Sequence, residues 1–348
     1  MLSTLKRLLP ITFILLVFLI NLCKAAGPSF VQNGRSNDDL RQLSAAFRDA
    51  VNLARVAIIA FNGENCNIAT DAVFDRFFRP QDATFVEQIL RTIANIDLNL
   101  QIHPDTILGV LRSTPLNPTF DRLSISIGDH PRGHHSECRN GVPGMRLFAY
   151  TEEQRDGSAY ISVCDVCLKY PTIGDITHDT WPNGTPKGPG YGCNGLLNRE
   201  TEFMLSCGAT LLHEIVHWSA LFRGIPTFNQ LIPFDHTTGF RTIDDFEGPD
   251  PANGAGFYNA KRLKDLGHNP LNNADNYLMF VVSSYWRWQC GREFGPALSI
   301  RDDSARWDQI HGIVSTSSSG IRRHVMHKKW TPINNQSSTE PSEHNDET

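Results

Sequence analysis

Two histidines and a glutamate stand together in the segment His213-Glu214-Ile215-Val216-His217. The residues around them are mostly apolar and predict a helix. Residues four apart share a face of a helix, so His213 and His217 could bind one metal ion from the same side. Glu214 lies about 100° round the helix, where it is better placed to take a proton from water beside the metal than to bind the metal. The segment therefore predicts a metal centre with His213 and His217 as ligands and Glu214 as general base.

The neighbouring residues favour a buried site with room for a substrate. Between Met204 and Phe222 the only charged or titratable side chains belong to the histidine–glutamate segment. A helix that is apolar on most sides packs in a core, and a buried carboxylate needs a nearby cation. Small residues flank the two histidines on the helical wheel: Ser206, Ala209, Thr210 and Ala220.

A catalytic zinc ion usually has three protein ligands and an open position, so a third ligand is expected. A third histidine is excluded at the usual spacing, where Ala220 and Arg223 stand. Glu247 is the only glutamate between His217 and Arg292, and it falls in a predicted loop. The better-placed candidates are the aspartates of this region: Asp235, Asp244, Asp245, Asp250, Asp265 and Asp275.

The order of these motifs resembles one family of proteases. After His217 come an aspartate-bearing loop that ends near 256–260 and the run Asn273-Ala274-Asp275-Asn276-Tyr277. Over roughly residues 198–290 this pattern resembles the aspzincin metalloendopeptidases, in particular fungal deuterolysin-like proteins. The resemblance implies a zincin-like fold, one Zn²⁺ ion and hydrolysis of peptide bonds in proteins or peptides.

In that family the third ligand is an aspartate in a Gly-Thr-x-Asp-x-x-Tyr-Gly motif. The segment 241–248 resembles it at Thr242, Asp244 and Gly248, but Arg241 replaces the first glycine and Glu247 replaces the tyrosine. This register favours Asp244 as the third ligand.

A longer loop would let the Gly256-Phe257-Tyr258 segment supply the tyrosine and would make Asp245 the ligand instead. Asp275 is expected to brace a loop or a ligand histidine. Tyr258 is a candidate to donate a hydrogen bond to the oxyanion of the reaction, although a buried or capping tyrosine would explain it equally.

The predicted fold class is α+β and zincin-like, with residues 39–330 forming one unit around a cleft that could divide it into two lobes. We expect a small twisted sheet, a central metal-binding helix that starts near Asn198 or Thr201, and mainly helical packing layers. An edge strand near the metal would align an extended substrate. The periodicities predict helices at 39–61, 73–78, 84–96, 258–266 and 276–288, and strands at 123–127, 145–150 and 159–163.

The two ends of the sequence read as additions to that unit. Residues 1–25 have a basic start, an apolar core and a small-residue end, which predict a cleaved signal peptide; a retained anchor is the alternative. Residues 26–38 are expected to be flexible and residues 331–348 disordered. Cleavage removes three basic residues and no acid, which takes the formal charge from −5 to −8. A secreted monomer with no affinity for nucleic acid or membrane is expected.

Cysteines and sequons agree with secretion. Seven of eight cysteines remain after Cys23 leaves with the signal peptide, which predicts three disulfides and one free thiol, with Cys207 as the free candidate. The pair Cys164 and Cys167 has no partner pair at zinc-ribbon spacing, so both are expected in structural disulfides. Asn183 and Asn335 are potential glycosylation sites.

Two alternatives remain open at this stage. Three histidines in one predicted loop, His130, His134 and His135, could form a second metal site. The whole protein could also be a non-catalytic secreted zinc-binding protein or antigen, or a structural protein with two buried histidines. Glu214 argues against the last two, because a metal-binding site does not need it.

Overall fold

The computed structural model describes residues 27–62, 68–97, 99–100, 102–140, 145–187, 190–196, 198–236, 239–246, 255–298 and 322–323. The predicted signal peptide, the predicted disordered tail, Cys66 and Asn335 lie outside these residues. The described part of the chain is a mixed α+β structure. None of its helices is both long enough and apolar enough to span a bilayer.

The helices are α1 Asn37–Ala57, α2 Ile59–Asn62, α3 Ala72–Phe77, α4 Ala83–Ala94, α5 Ile107–Ser113, α6 Glu137–Asn140, α7 Asp165–Leu168, α8 Ile173–Thr177, α9 Gly192–Gly195, α10 Cys207–His217, α11 Ser219–Phe222, α12 Phe228–Leu231, α13 Gly256–Asp265 and α14 Ala274–Cys290. The strands are β1 Ser29–Val31, β2 Leu123–Ile127, β3 Met145–Arg146, β4 Ala149–Glu153, β5 Ala159–Val163, β6 Phe234–Asp235, β7 Phe240–Arg241 and β8 Arg322–Arg323. Short 3₁₀ turns include Glu202–Met204 and Pro270–Asn272.

One four-stranded sheet lies beside the metal-binding helix. Its order is β1-β2-β5-β4; β1, β2 and β5 are parallel, and β4 runs antiparallel to β5, from Ala149 opposite Val163 to Glu153 opposite Ala159. Strand β4 is therefore an edge strand, as predicted. The predicted strand 145–150 is divided between β3 and β4. Two further pairs, β3 with β8 and β6 with β7, are only two residues long.

The segment predicted to be flexible, residues 26–38, is partly ordered. Ser29, Phe30 and Val31 pair with β2, and the ring of Phe30 lies 6.0 Å from that of Phe47 on α1. Ser36 then caps α1 by accepting a hydrogen bond from the backbone N–H of Asp39. A single apolar residue on the third strand of a small sheet gives β1 its hold, which is too short a signal to see in the sequence.

Helix α10 lies in the centre of the fold, against α1, α14 and β4. Every one of its residues is buried. It begins later than predicted because Leu205 is extended and Ser206 forms the N-cap, accepting from the N–H of Ala209 at 3.1 Å. Gly208 permits the close contact with α1: a Cβ there would lie 2.5 Å from Asp49 Cβ and 2.9 Å from the Ala46 carbonyl oxygen.

Three disulfides join the described cysteines: Cys138–Cys164, Cys167–Cys207 and Cys193–Cys290. They confirm the structural role predicted for Cys164 and Cys167. The prediction that Cys207 is the free thiol is wrong. Cys207 is the first residue of α10, and that end of the helix packs against α7, where Cys167 lies within bonding distance.

Candidate metal centre

The two predicted histidine ligands lie on the last turns of α10 and are almost fully buried. Their Nε2 atoms are 3.0 Å apart. Nδ1 of His217 lies 2.7 Å from the carbonyl oxygen of Ile243, and Nδ1 of His213 lies 2.8 Å from Oδ1 of Asp275. A carbonyl or carboxylate oxygen accepts, so each Nδ1 carries a hydrogen and each Nε2 is left as the metal-binding nitrogen. The backing partners thus turn both metal-binding nitrogens toward one point.

Asp245 supplies the carboxylate at that point. Its Oδ1 is 3.2 Å from Nε2 of His213, and its Oδ2 is 3.7 Å from Nε2 of His217. Among the described residues, His213, His217 and Asp245 form the one group of histidine, cysteine or acidic side chains that could hold a metal ion. The metal's identity is not given by this grouping.

The structure does not place Asp244, the residue favoured by register, in this group. The carbonyl oxygen of Asp244 accepts from the N–H of Ala274 at 2.9 Å, and its Oδ1 accepts from the N–H of Asp245 at 3.1 Å. Successive side chains of an extended segment point in opposite directions. With the backbone of Asp244 fixed to the start of α14, it is Asp245 that faces the histidines.

The charges of the site call for a cation. Two carboxylates, Asp245 and Asp275, lie within 3.2 Å of the His213 ring. Burial alone would lower the pKa of His213, but these two charges outweigh it and hold the pKa well above that of a free imidazole. A proton supplies positive charge when no metal is bound. A divalent ion would supply more, and two imidazole nitrogens with one carboxylate are a donor set that suits zinc.

Glu214 lies beside this group with its side chain only half satisfied. It is 0% exposed. Thr151 of β4 donates its hydroxyl to Glu214 Oε2 at 2.8 Å and stands 3.0 Å from the Glu214 carbonyl oxygen. Within the described residues, Oε1 is buried and has no hydrogen-bond partner. Burial raises the pKa of Glu214 to about 8, against the opposing effects of His213 and Thr151. An unpartnered buried acceptor of this kind indicates an absent water or ion, which supports the fit of a metal at the site.

The run 273–277 holds the site together from behind. Oδ1 of Asn273 accepts from the N–H of Phe246 at 3.0 Å, next to Asp245, and its Nδ2 donates to Asn276 Oδ1 at 2.6 Å. Asn276 in turn donates to the carbonyl oxygens of Phe77 and Ala260. Asp275 braces His213 and also accepts from the N–H of Gly256 at 2.6 Å. The bracing role expected of Asp275 agrees with these contacts.

Sequence reasoning missed two of the residues that shape the site. Asn273 belongs to a motif that was singled out, but no role was attached to its amide. Thr151 left no signal, because a threonine on a strand is common and its partner Glu214 is 63 residues away.

Tyr258 lies in the first turn of α13, and the Arg262 guanidinium sits 6.0 Å from the centre of its ring. That contact joins two residues of one helix. A catalytic role for Tyr258 stays a prediction.

The His130 loop does not form a second metal site among the described residues. Nε2 of His130 lies 2.9 Å from the Ser124 hydroxyl, and its ring stacks on Tyr160 at 4.1 Å. His134 and His135 donate their backbone N–H groups to the Glu152 carboxylate. The histidines therefore anchor the loop to β2, β4 and β5.

Comparison of the chain with protein-family models, with curated proteins and with solved structures finds no match, so the evidence for its role is the geometry of the site itself.

Proposed function

We propose that this protein is a secreted zinc-dependent endopeptidase of the aspzincin type, with a zincin-like fold. The observation that carries the proposal is the Glu214 carboxylate. One of its oxygens is fixed by Thr151, and the other is buried without a partner beside His213, His217 and Asp245. A site that only bound a metal would need the three ligands and not this acid.

His213, His217 and Asp245 would hold the ion, and its fourth position would face the substrate. Bound zinc would polarise the scissile carbonyl and make a neighbouring water molecule more acidic. Glu214 Oε1 would take a proton from the attacking water and then pass it to the leaving amine nitrogen. The Thr151 hydroxyl keeps Oε2 occupied, so that Oε1 is the oxygen available to carry this proton.

Strand β4 would position the peptide. It ends the sheet, and its Thr151 contacts the residue proposed as the base. An extended substrate could add to its outer edge through main-chain hydrogen bonds, which would bring a peptide bond to the metal without reading its side chains.

Secretion is part of the proposal. Three disulfides fit an oxidising compartment. Asn183, in one of the two sequons, is exposed in a turn where its Oδ1 accepts from the Thr185 N–H at 3.1 Å, which leaves it accessible for glycosylation.

The test compares the wild-type protein with Glu214→Gln, both loaded with zinc. Wild type should bind one zinc ion per chain and cleave casein; 1,10-phenanthroline should stop cleavage and added zinc should restore it. Glu214→Gln keeps the shape of the side chain and the ligands, so zinc content should be unchanged while hydrolysis falls by roughly 10²–10⁴-fold.

The outcomes separate the candidate functions. Undiminished cleavage by Glu214→Gln would remove Glu214 from the mechanism. One zinc ion per chain together with no hydrolysis of casein or of a peptide mixture by wild type would make the protein a non-catalytic zinc-binding protein. No zinc in the wild-type protein would leave only two buried histidines.

A further inference from the structure

A small cavity opens next to the candidate metal centre. Its walls are mainly apolar and come from the segment before β4, the turn before α10 and the first half of α14. The side chains used below are Phe148, Leu205, Thr210, Asp275, Leu278 and Met279. Phe148, Leu278 and Met279 are almost fully buried, and the half-buried Leu205 stands at the rim.

The cavity begins within one helical turn of the metal ligands. Thr210 precedes His213 by three residues, which puts it about 60° from His213 and about 20° from His217 round α10, on the ligand face. The rise along the axis is roughly 4.5 Å. Asp275, which contacts Nδ1 of His213, is also part of the cavity wall. A group bound at the metal therefore has this cavity as its immediate neighbour.

The cavity also lies at one end of the edge strand. Phe148 directly precedes β4, whereas Thr151, at the level of Glu214, is three residues further along the strand. A peptide that pairs antiparallel with β4 would run from the Glu153 end toward the Phe148 end. Its scissile bond would sit near Thr151 and Glu214, and the part of the peptide that follows the bond would reach the cavity.

The size of the cavity limits what it can take. It encloses about 40 Å³, which is room for roughly three water-sized groups. An aliphatic side chain of valine or leucine size matches both this volume and the contacts offered by Phe148, Leu278 and Met279. The buried carboxyl group of Glu202 forms part of the wall, but a lysine side chain would not fit the space without displacing one of the core residues.

We propose that this cavity is a specificity pocket for a small aliphatic side chain on the residue that follows the scissile bond. The inference rests on the proposed peptidase function. The pocket would contribute by burying that side chain as the peptide bond reaches the metal, at about 0.8 kcal/mol for each CH₂ group removed from water.

The experiment uses the zinc-loaded full-length protein and a peptide mixture in which one position varies, with cleavage sites identified by mass spectrometry. Wild type should favour valine or leucine after the scissile bond over phenylalanine and lysine by about tenfold or more. Met279→Ala enlarges the pocket and should shift the preference toward phenylalanine by about tenfold. Val282→Ala removes a similarly buried side chain from the same helix, outside the cavity wall, and should leave the preference unchanged.

The measured quantity is a ratio between peptides in one tube, so partial loss of folded Met279→Ala protein does not change it. Wild-type cleavage without preference after the bond, a preference for lysine, or equal shifts in Met279→Ala and Val282→Ala would each overturn the pocket while leaving the peptidase intact. A wild-type protein that binds zinc but cleaves none of the peptides would overturn the proposed function itself.

Discussion

Replacing Gly208 by alanine should destabilise the protein through the contact between α1 and the metal-binding helix. The new Cβ would meet Asp49 Cβ at 2.5 Å and the Ala46 carbonyl oxygen at 2.9 Å. Neither atom lies at the end of a flexible side chain, so the helices themselves must separate. Overpacking of this kind costs about 1–3 kcal/mol, whereas alanine gains at most about 1 kcal/mol over glycine in a helix. The net expectation is a loss of about 1–2 kcal/mol of unfolding free energy.

Gly109 provides the matched control. It is exposed in α5, and a Cβ there would have no neighbour within 4 Å among the described atoms. Gly109→Ala should therefore stabilise the protein by about 0.5–1 kcal/mol. Urea unfolding of both variants with intact disulfides measures the difference. Two variants with the same sign, or a Gly208→Ala protein as stable as wild type, would refute the close approach of α1 and α10.

Three further predictions concern the site and its surroundings. Asp275→Asn removes the charge behind the His213 imidazole and should weaken zinc binding by about 10–100-fold, measured by competition with a chromophoric chelator; unchanged affinity would show that the contact does not orient the ring. Asp245→Asn should weaken zinc binding more than Asp244→Asn in the same titration, and the reverse order would restore Asp244 as the third ligand. Burial lowers the pKa of His130 to about 4, so the unfolded chain binds the extra proton between about pH 6.5 and 4. Stability present above pH 6.5 should thus be lost as the pH falls through this window, by up to about 3 kcal/mol; urea unfolding of metal-free wild type and His130→Asn should diverge there, and parallel curves would contradict the assignment.

Local patterns were enough to find the centre of the site but not to complete it. His213, Glu214 and His217 are set by one helical turn, so their spacing alone predicts their common location. The choice between Asp244 and Asp245 depends on a backbone contact with Ala274, on a different element. No periodicity carries that information. A family register that assumes a loop length cannot supply it either.

The same distinction applies to the rest of the fold. The longer helices agree with their predicted ranges within a few residues because their apolar stripes are long, and β2 and β5 follow their alternation. The three residues of β1 were missed, since their only support is the neighbouring strand. The pairing of Cys207 was missed for a related reason: a buried cysteine on a helix looks the same whether or not a second cysteine reaches it from elsewhere in the chain.

Two bridges meet in one short segment, because Cys164 bonds to Cys138 and Cys167 bonds to Cys207. During oxidation in the secretory pathway the nearest thiol to Cys164 along the chain is Cys167, and their direct union would leave Cys207 without its tether. Correct maturation therefore calls for thiol exchange at this tetrapeptide. Recombinant material made in a reducing cytosol would carry the metal-binding helix unanchored at its first residue, whatever zinc was provided.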